Sequence, residues 1–290
     1  MKLTGRRTSD NVDDRRRSGG KTAAGLGIGG IVIVGIMTLL SGGNLGDIVS
    51  NLLSSGQLSN ITQSGGTEYV PSAEENAMAT FASQILAGTE DVWTKEFEKM
   101  GRKYVPPKMV LFTNATSSGC GSASKQTGPF YCPTDQTVYI DLSFFDQMQN
   151  QLGAGGDFAY AYVIAHEVGH HVQYLLGVLD KVQQMQSRAS KKESNQINVR
   201  LELQADFYAG IWAYHDNKMY GSLEQGDIEK GLNAASAIGD DRLQMQSQGY
   251  TVPDAFNHGI SEQRVRWLKK GATTGNVSAG DTFSPAYSSL

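Results

Sequence analysis

The sequence predicts an α+β domain, mainly helical with a small sheet, preceded by one transmembrane helix. Three observations carry that expectation. Apolar residues recur at helical spacing through several long segments, whereas only two short segments have the β-branched and aromatic content of strands. No charged residue occurs from Thr22 to Asn44. The 290 residues, 39% hydrophobic and 19% charged, are enough for one good-sized core with appendages.

Residues 1–21 hold Lys2, Arg6, Arg7, Arg15, Arg16, Arg17 and Lys21 against Asp10, Asp13 and Asp14. They read as a basic, disordered cytoplasmic tail. Residues 22–42 read as a transmembrane anchor. Their apolar run, AAGLGIGGIVIVGIMTLL at 23–40, approaches the roughly 20 residues a helix needs to cross a bilayer. The basic cluster before it is expected to stay cytoplasmic, which places the rest of the chain on the far side of a bacterial inner or plasma membrane. Two other readings stay open. A cleaved signal peptide lacks an A-x-A-like site after the apolar core, and a buried core helix is the third choice. Arg6-Arg7 runs into Thr-Ser-Asp, unlike a twin-arginine signal.

Residues 43–67, rich in Gly, Ser, Asn and Gln, read as a flexible tether. The domain follows at 68–272. Met78, Phe81, Ile85, Val92, Trp93 and Phe97 give residues 72–101 helical periodicity, and Pro106-Pro107 end that region. Residues 108–112 and 138–142 are the two strands. A helix at 158–176 takes Asp157 as its N-cap and Gly177 as its breaker. Further helices are expected at 195–215, 227–238 and 261–270. Residues 273–290 lack apolar periodicity and read as a loose tail. The body beyond the basic tail is acidic, which argues against a nucleic-acid partner.

Cys120 and Cys132 flank a Gly- and Pro-containing stretch. Outside the cytoplasm such a pair oxidises, and closing so short a loop stabilises by about 3 kcal/mol on a chain-entropy basis. Two buried free thiols are the alternative. The spacing is not the C-x-x-C of a metal site.

The chemistry centres on His166-Glu167-Val168-Gly169-His170. Two imidazoles four residues apart lie one helical turn apart on one face and can grip a single zinc ion. Glu167 follows the first histidine and reaches the attacking water without being a ligand. The motif sits among Val163, Ile164, Ala165, Val168, Val172, Leu175 and Leu176, so its polar groups are buried and need partners. A metzincin would place glycine at 173 and histidine at 176, where this chain has Gln173 and Leu176. His171 points about 100° away from His170 round the helix.

The third ligand is sought downstream. Glu202 and Asp206 are i,i+4 on the second long helix, flanked by Leu201, Leu203, Ala205, Phe207 and Ala209. Glu202 supplies the ligand. Asp206 accepts the free ring N–H of a zinc histidine. This His₂Glu set is the gluzincin arrangement of thermolysin. A solvated acidic pair is the bland alternative.

Further markers extend the comparison: Gly5-Arg6-Arg7, Ser9-Asp10-Asn11-Val12, Gly128-Pro129-Phe130-Tyr131-Cys132-Pro133, Tyr139-Ile140-Asp141-Leu142, Ala235-Ser236-Ala237-Ile238-Gly239-Asp240-Asp241, His258-Gly259, Arg264 and Trp267. With the HExxH helix and the segment Glu202 to Asp206, they resemble the bacterial family of putative neutral zinc metallopeptidases, which is membrane-anchored and gluzincin-like. Phe207-Tyr208 stand where many relatives have a cysteine, and the tether is unusually rich in glycine and serine. The resemblance implies a zincin-like metalloprotease domain.

The expected function is a membrane-anchored zinc metallopeptidase with one Zn²⁺ per chain. Zinc brings the pKa of its water to about 7, and Glu167 takes the proton and passes it to the leaving amine. His258, the late loop histidine, is the candidate oxyanion donor, or simply a neighbour of the helix start at Ser261. Strand 138–142 precedes the catalytic helix, and its edge, with Tyr139 and Asp141, is expected to pair with extended peptide. The partners are a peptide or unfolded protein and, through residues 22–42, a lipid bilayer. A zinc amidase acting on a non-peptide or cell-wall amide, and a non-catalytic anchored binding protein with a relic site, remain as alternatives.

Overall fold

Ser72 opens the first long helix. Its hydroxyl accepts from the Glu75 N–H while the Glu75 carboxylate accepts from the Ser72 N–H, a capping box that satisfies two end donors at once. A computed structural model describes residues 1–16, 70–124 and 127–290. In it, this helix is α1 (Ala73–Lys99). The strands are β1 (Val12–Asp14), β2 (Lys108–Phe112), β3 (Ala115–Ser118), β4 (Gly121–Ser124), β5 (Phe130–Cys132) and β6 (Thr137–Asp141). The later helices are α2 (Ser143–Leu152), α3 (Asp157–Leu175), α4 (Val178–Gln186), α5 (Lys191–Tyr220), α6 (Asp227–Ala237), α7 (Asp240–Gln248) and α8 (Ser261–Thr274). The domain is α+β, mainly helical with a small sheet.

The main sheet runs β1-β2-β6-β5. β2 is parallel to both β1 and β6, and β5 closes the sheet antiparallel to β6. With a strand on either side, every residue of β6 is buried. β3 and β4 form a separate hairpin. The Cys120–Cys132 disulfide ties the turn of that hairpin to the end of β5.

Helix α3 is buried from Phe158 through Gln173, as its apolar surroundings require. It packs against α5, α6 and β5. Small residues set how closely the helices approach. A Cβ on Gly169 would stand 3.0 Å from the Ala205 carbonyl, so the motif helix meets α5 almost backbone to backbone. Where α5 meets α8 the fit is tighter still: a Cβ on Gly271 would overlap the Phe207 carbonyl.

Several expectations change. Asp157 is the first residue of α3, and Gly156, at φ 109°, occupies the cap position. The N-terminal residues are not a free tail as far as residue 16: β1 joins the sheet, Val12 opposite Met109. The C-terminal tail is also docked. The Gln204 side-chain amide donates to the Gly280 carbonyl, the Thr282 hydroxyl donates to the Arg200 carbonyl, and Leu290 is buried. Its anchors are irregular backbone, which carries no periodicity to read. The anchor expected at 22–42 and the tether at 43–67 lie outside the described residues. Among the described residues no helix is long and apolar enough to cross a membrane.

Candidate metal centre

The crossing of α3 and α5 sets the site. His166 and His170 project from one face of α3 toward Glu202 on α5. His166 Nε2 lies 3.2 Å from Glu202 Oε2, and His170 Nε2 lies 3.6 Å from Glu202 Oε1. One ligand atom from each of the three residues falls within 4.8 Å of the others, and all three side chains are buried. His170 Nε2 and Glu202 Oε1 have no hydrogen-bond partner among the described residues. Buried polar atoms left in this way cost about 1–3 kcal/mol each. A cation held by the three would satisfy both, so the donor set fits a metal ion.

The outer contacts fix the rings. His166 Nδ1 is 2.8 Å from Asp206 Oδ1, and His170 Nδ1 is 2.8 Å from Gln173 Oε1. Both partners are acceptors, so each Nδ1 carries its proton and each Nε2 faces the centre. Gln173 is itself held by donating to the Leu201 carbonyl on α5 at 2.7 Å. Asp206 also accepts from the Tyr162 hydroxyl at 2.6 Å and from Arg264 on α8 at 2.8 and 2.9 Å. Three helices therefore meet on one carboxylate.

The electrostatics follow from burial and these pairs. Burial opposes the Asp206 charge, but Arg264 and His166 hold its carboxyl down to about 2. Burial likewise opposes a proton on His166, yet Asp206 beside it wins and raises that imidazole to about 10. A metal entering the site must displace this proton, which couples affinity to pH. Burial disfavours the Glu202 charge, and His170 with His166 overcomes it, holding the carboxyl well below the usual range. Glu167 goes the other way. Burial raises its pKa, the two histidines only partly offset this, and the Tyr131 backbone N–H bonds to its carboxylate. Its Oε2 has no partner among the described residues.

A cavity of about 20 Å³, room for one water-sized body, is walled by His166, Glu167, Glu202, His258, Tyr162 and Arg264, with Pro129, Phe144, Val163 and Ile238 completing it. His258 thus reaches the site from its loop. Its Nδ1 lies 3.2 Å from Asp240 Oδ1, and Asp240 Oδ2 accepts the backbone N–H groups of Asn257, His258 and Gly259. Burial lowers the His258 pKa, but Asp240 more than compensates and raises it. Its Nε2 is buried without a partner among the described residues.

Tyr139 and Asp141 lie elsewhere, and the expected strand edge is not an edge. β6 is internal, paired on both sides. The Tyr139 ring stacks on Phe130 and its hydroxyl donates to Asp135 at 2.7 Å. Asp141 accepts the backbone N–H groups of Asn114 and Ser143, so it caps a turn. The strand that borders the site is β5. His171 secures it: Nε2–H donates to the Val105 carbonyl at 2.7 Å, which leaves Nδ1 to accept from the Tyr131 hydroxyl at 2.9 Å. The sequence reading missed the roles of Gln173, Arg264 and Asp240. Gln173 stands three residues after His170, on the same helical face, and that spacing was the one local signal available.

The sequence profile of the family described as "Putative neutral zinc metallopeptidase" matches residues 1–283. The chain is 50% identical to the uncharacterized protein YpfJ of Escherichia coli K12 over 290 residues, covering 98% of this chain and 99% of that protein. It is 46% identical to the uncharacterized protein Mb2605 of Mycobacterium bovis over 193 residues, covering 63% of this chain and 64% of that one. No solved structure matches the chain. On the reach of the family profile and of the identity to the Escherichia coli protein, the chain belongs to the family of putative neutral zinc metallopeptidases.

Proposed function

We propose that this protein is a zinc-dependent peptidase in which His166, His170 and Glu202 hold one zinc ion and Glu167 is the general base. One observation carries the reading: three buried donors gathered within 4.8 Å, with His170 Nε2 and Glu202 Oε1 left unpartnered. Two imidazoles and a carboxylate with an open position are the ligand set of catalytic zinc. Zinc supplies Lewis acidity there, acidifying a water and polarising the scissile carbonyl.

The protein's own groups do the remainder. The raised pKa of Glu167 suits a carboxylate that accepts a proton from the attacking water and returns it to the leaving amine. Asp206 and Gln173 keep both ring Nε2 atoms turned toward Glu202, where the ion would be held. His258, whose pKa Asp240 raises, donates from Nε2 to the developing oxyanion in its protonated form. β5 is the sheet edge beside Glu167, and an extended peptide would add to it as a further strand.

The test is metal content and cleavage in the full-length protein. We expect one zinc per chain and cleavage of fluorescently labelled, denatured casein, with activity abolished by 1,10-phenanthroline and restored by zinc. Glu202→Ala should lower the zinc content. Cleavage that ignores the chelator, or protein that carries no metal after careful purification, would overturn the reading.

A further inference from the structure

Far from the metal centre, α1 and α5 turn two buried carboxylates, Glu90 and Asp216, toward one surface. Residues 1–16 supply their partners. The Arg6 guanidinium bonds both oxygens of Asp216, at 2.7 and 3.3 Å, and lies 3.7 Å over the Tyr220 ring. Gly88 makes room for it, since a Cβ there would stand 2.8 Å from the guanidinium. Arg7 reaches Glu90 at 2.8 Å and Asp91 at 2.6 Å. The Ser9 hydroxyl and the Asn11 amide both donate to Glu90 Oε1, at 2.5 and 2.8 Å. β1 then extends the sheet beside β2. The contacts are residue-specific, and without them two buried charges would stand alone, which is strongly unfavourable.

We infer that this surface is a receptor for the chain's own first 16 residues, and that those residues lie in the same compartment as the metal centre. A segment joining two parts of one folded body crosses a membrane an even number of times. Two helical crossings need about twice the ~20 apolar residues of one. The apolar run at 23–40 holds 18 residues. The inference therefore replaces the expected single pass, with tail and domain on opposite faces, by a one-sided arrangement. Four of the seven basic residues behind the cytoplasmic reading are engaged in ion pairs. Arg6 and Arg7 are paired with the domain, and Arg15 and Arg16 with Asp13 and Asp14. The disulfide points to an oxidising compartment for the body, and so for residues 1–16.

The chain has two cysteines, bonded to each other, so an introduced thiol reports cleanly. Thr8 and Tyr250 are both exposed. Full-length Thr8→Cys and Tyr250→Cys proteins would be treated with a membrane-impermeant maleimide in intact spheroplasts and in inverted vesicles. We expect both to react in the same preparation and to be protected in the other. Thr8→Cys reacting only where Tyr250→Cys is protected would overturn the inference. Docking is measured separately, by trypsin cleavage after Arg6 and Arg7 in the purified full-length protein. Ser9→Ala with Asn11→Ala, changes confined to the segment, should speed it about tenfold by favouring local opening. Equally fast cleavage in the unaltered protein would show the segment undocked and overturn the inference as well. Neither measurement depends on peptidase activity.

Discussion

Two acidic clusters meet on helix α5 and are finished in opposite ways. Near its C-terminal end Asp216 meets Arg6, and on neighbouring α1 Glu90 meets Arg7, Ser9 and Asn11; every carboxylate oxygen in this cluster has a donor. One end of the helix earlier, Asp206 is equally satisfied, but Glu202 Oε1, His170 Nε2, Glu167 Oε2 and His258 Nε2 have no partner among the described residues. Both clusters are buried. Completed pairing holds a chain segment in place. Open pairing costs stability, and a fold that carries four such atoms, three of them on residues walling one small cavity, is arranged for a ligand. The contrast separates structural charge from functional charge without reference to any relative.

The unpaired cluster is most sensitive at Glu167. Glu167→Gln should lower peptide cleavage by about 10²–10⁴-fold, the usual worth of a general base, with zinc content unchanged. Cleavage at the normal rate would put the base elsewhere. The structural cluster should respond in the other currency. Asp216→Asn leaves the Arg6 guanidinium buried without its charge partner and should cost about 3 kcal/mol in urea unfolding. Zinc stoichiometry of the folded fraction should not move. Lost zinc at undiminished stability would reverse the roles assigned to the two clusters.

Asp206 sits on the boundary, because it serves both Arg264 and His166. Asp206→Asn should weaken zinc binding by about 10–100-fold, as loss of an outer histidine partner does. Competition with a chromophoric chelator measures it. The smallest effect concerns pH. Burial alone would lower the His258 pKa, and Asp240 raises it. The donating form is the protonated ring, so activity falls as pH rises through that raised pKa. Asp240→Asn removes the charge that raises it, and the alkaline limb of kcat should move to lower pH. An unmoved limb would remove His258 from the oxyanion role.

Much of this was legible in the chain. The spacing of His166 and His170 puts both rings on one face of any helix, and Glu202 and Asp206 share a face for the same reason. Ser72 with Glu75 announces the start of α1. These are relations within one element, and local geometry governs them. The surroundings of β6 were not legible. Residues 137–141 look alike whether the strand lies at an edge or in the interior, and β1 and β5 decided the matter. Short α2 and α4 do carry an apolar stripe, Phe144, Phe145 and Met148 in one and Val178, Leu179 and Val182 in the other, and were passed over for their length; α7 has no such stripe, and the docked termini had no periodicity at all.

By itself the sequence determined the long helices, the histidine pair and its neighbouring glutamate, and the acidic pair on a second helix, because residues three and four apart are bound to meet on a helix. Only the tertiary structure decided that Arg264 holds Asp206, that Asp240 brings His258 to the cavity and that residues 1–16 complete Glu90 and Asp216. These pairings join parts of the chain 18 to 210 residues apart. No local spacing encodes such distances; packing density and the cost of leaving a buried charge alone select them.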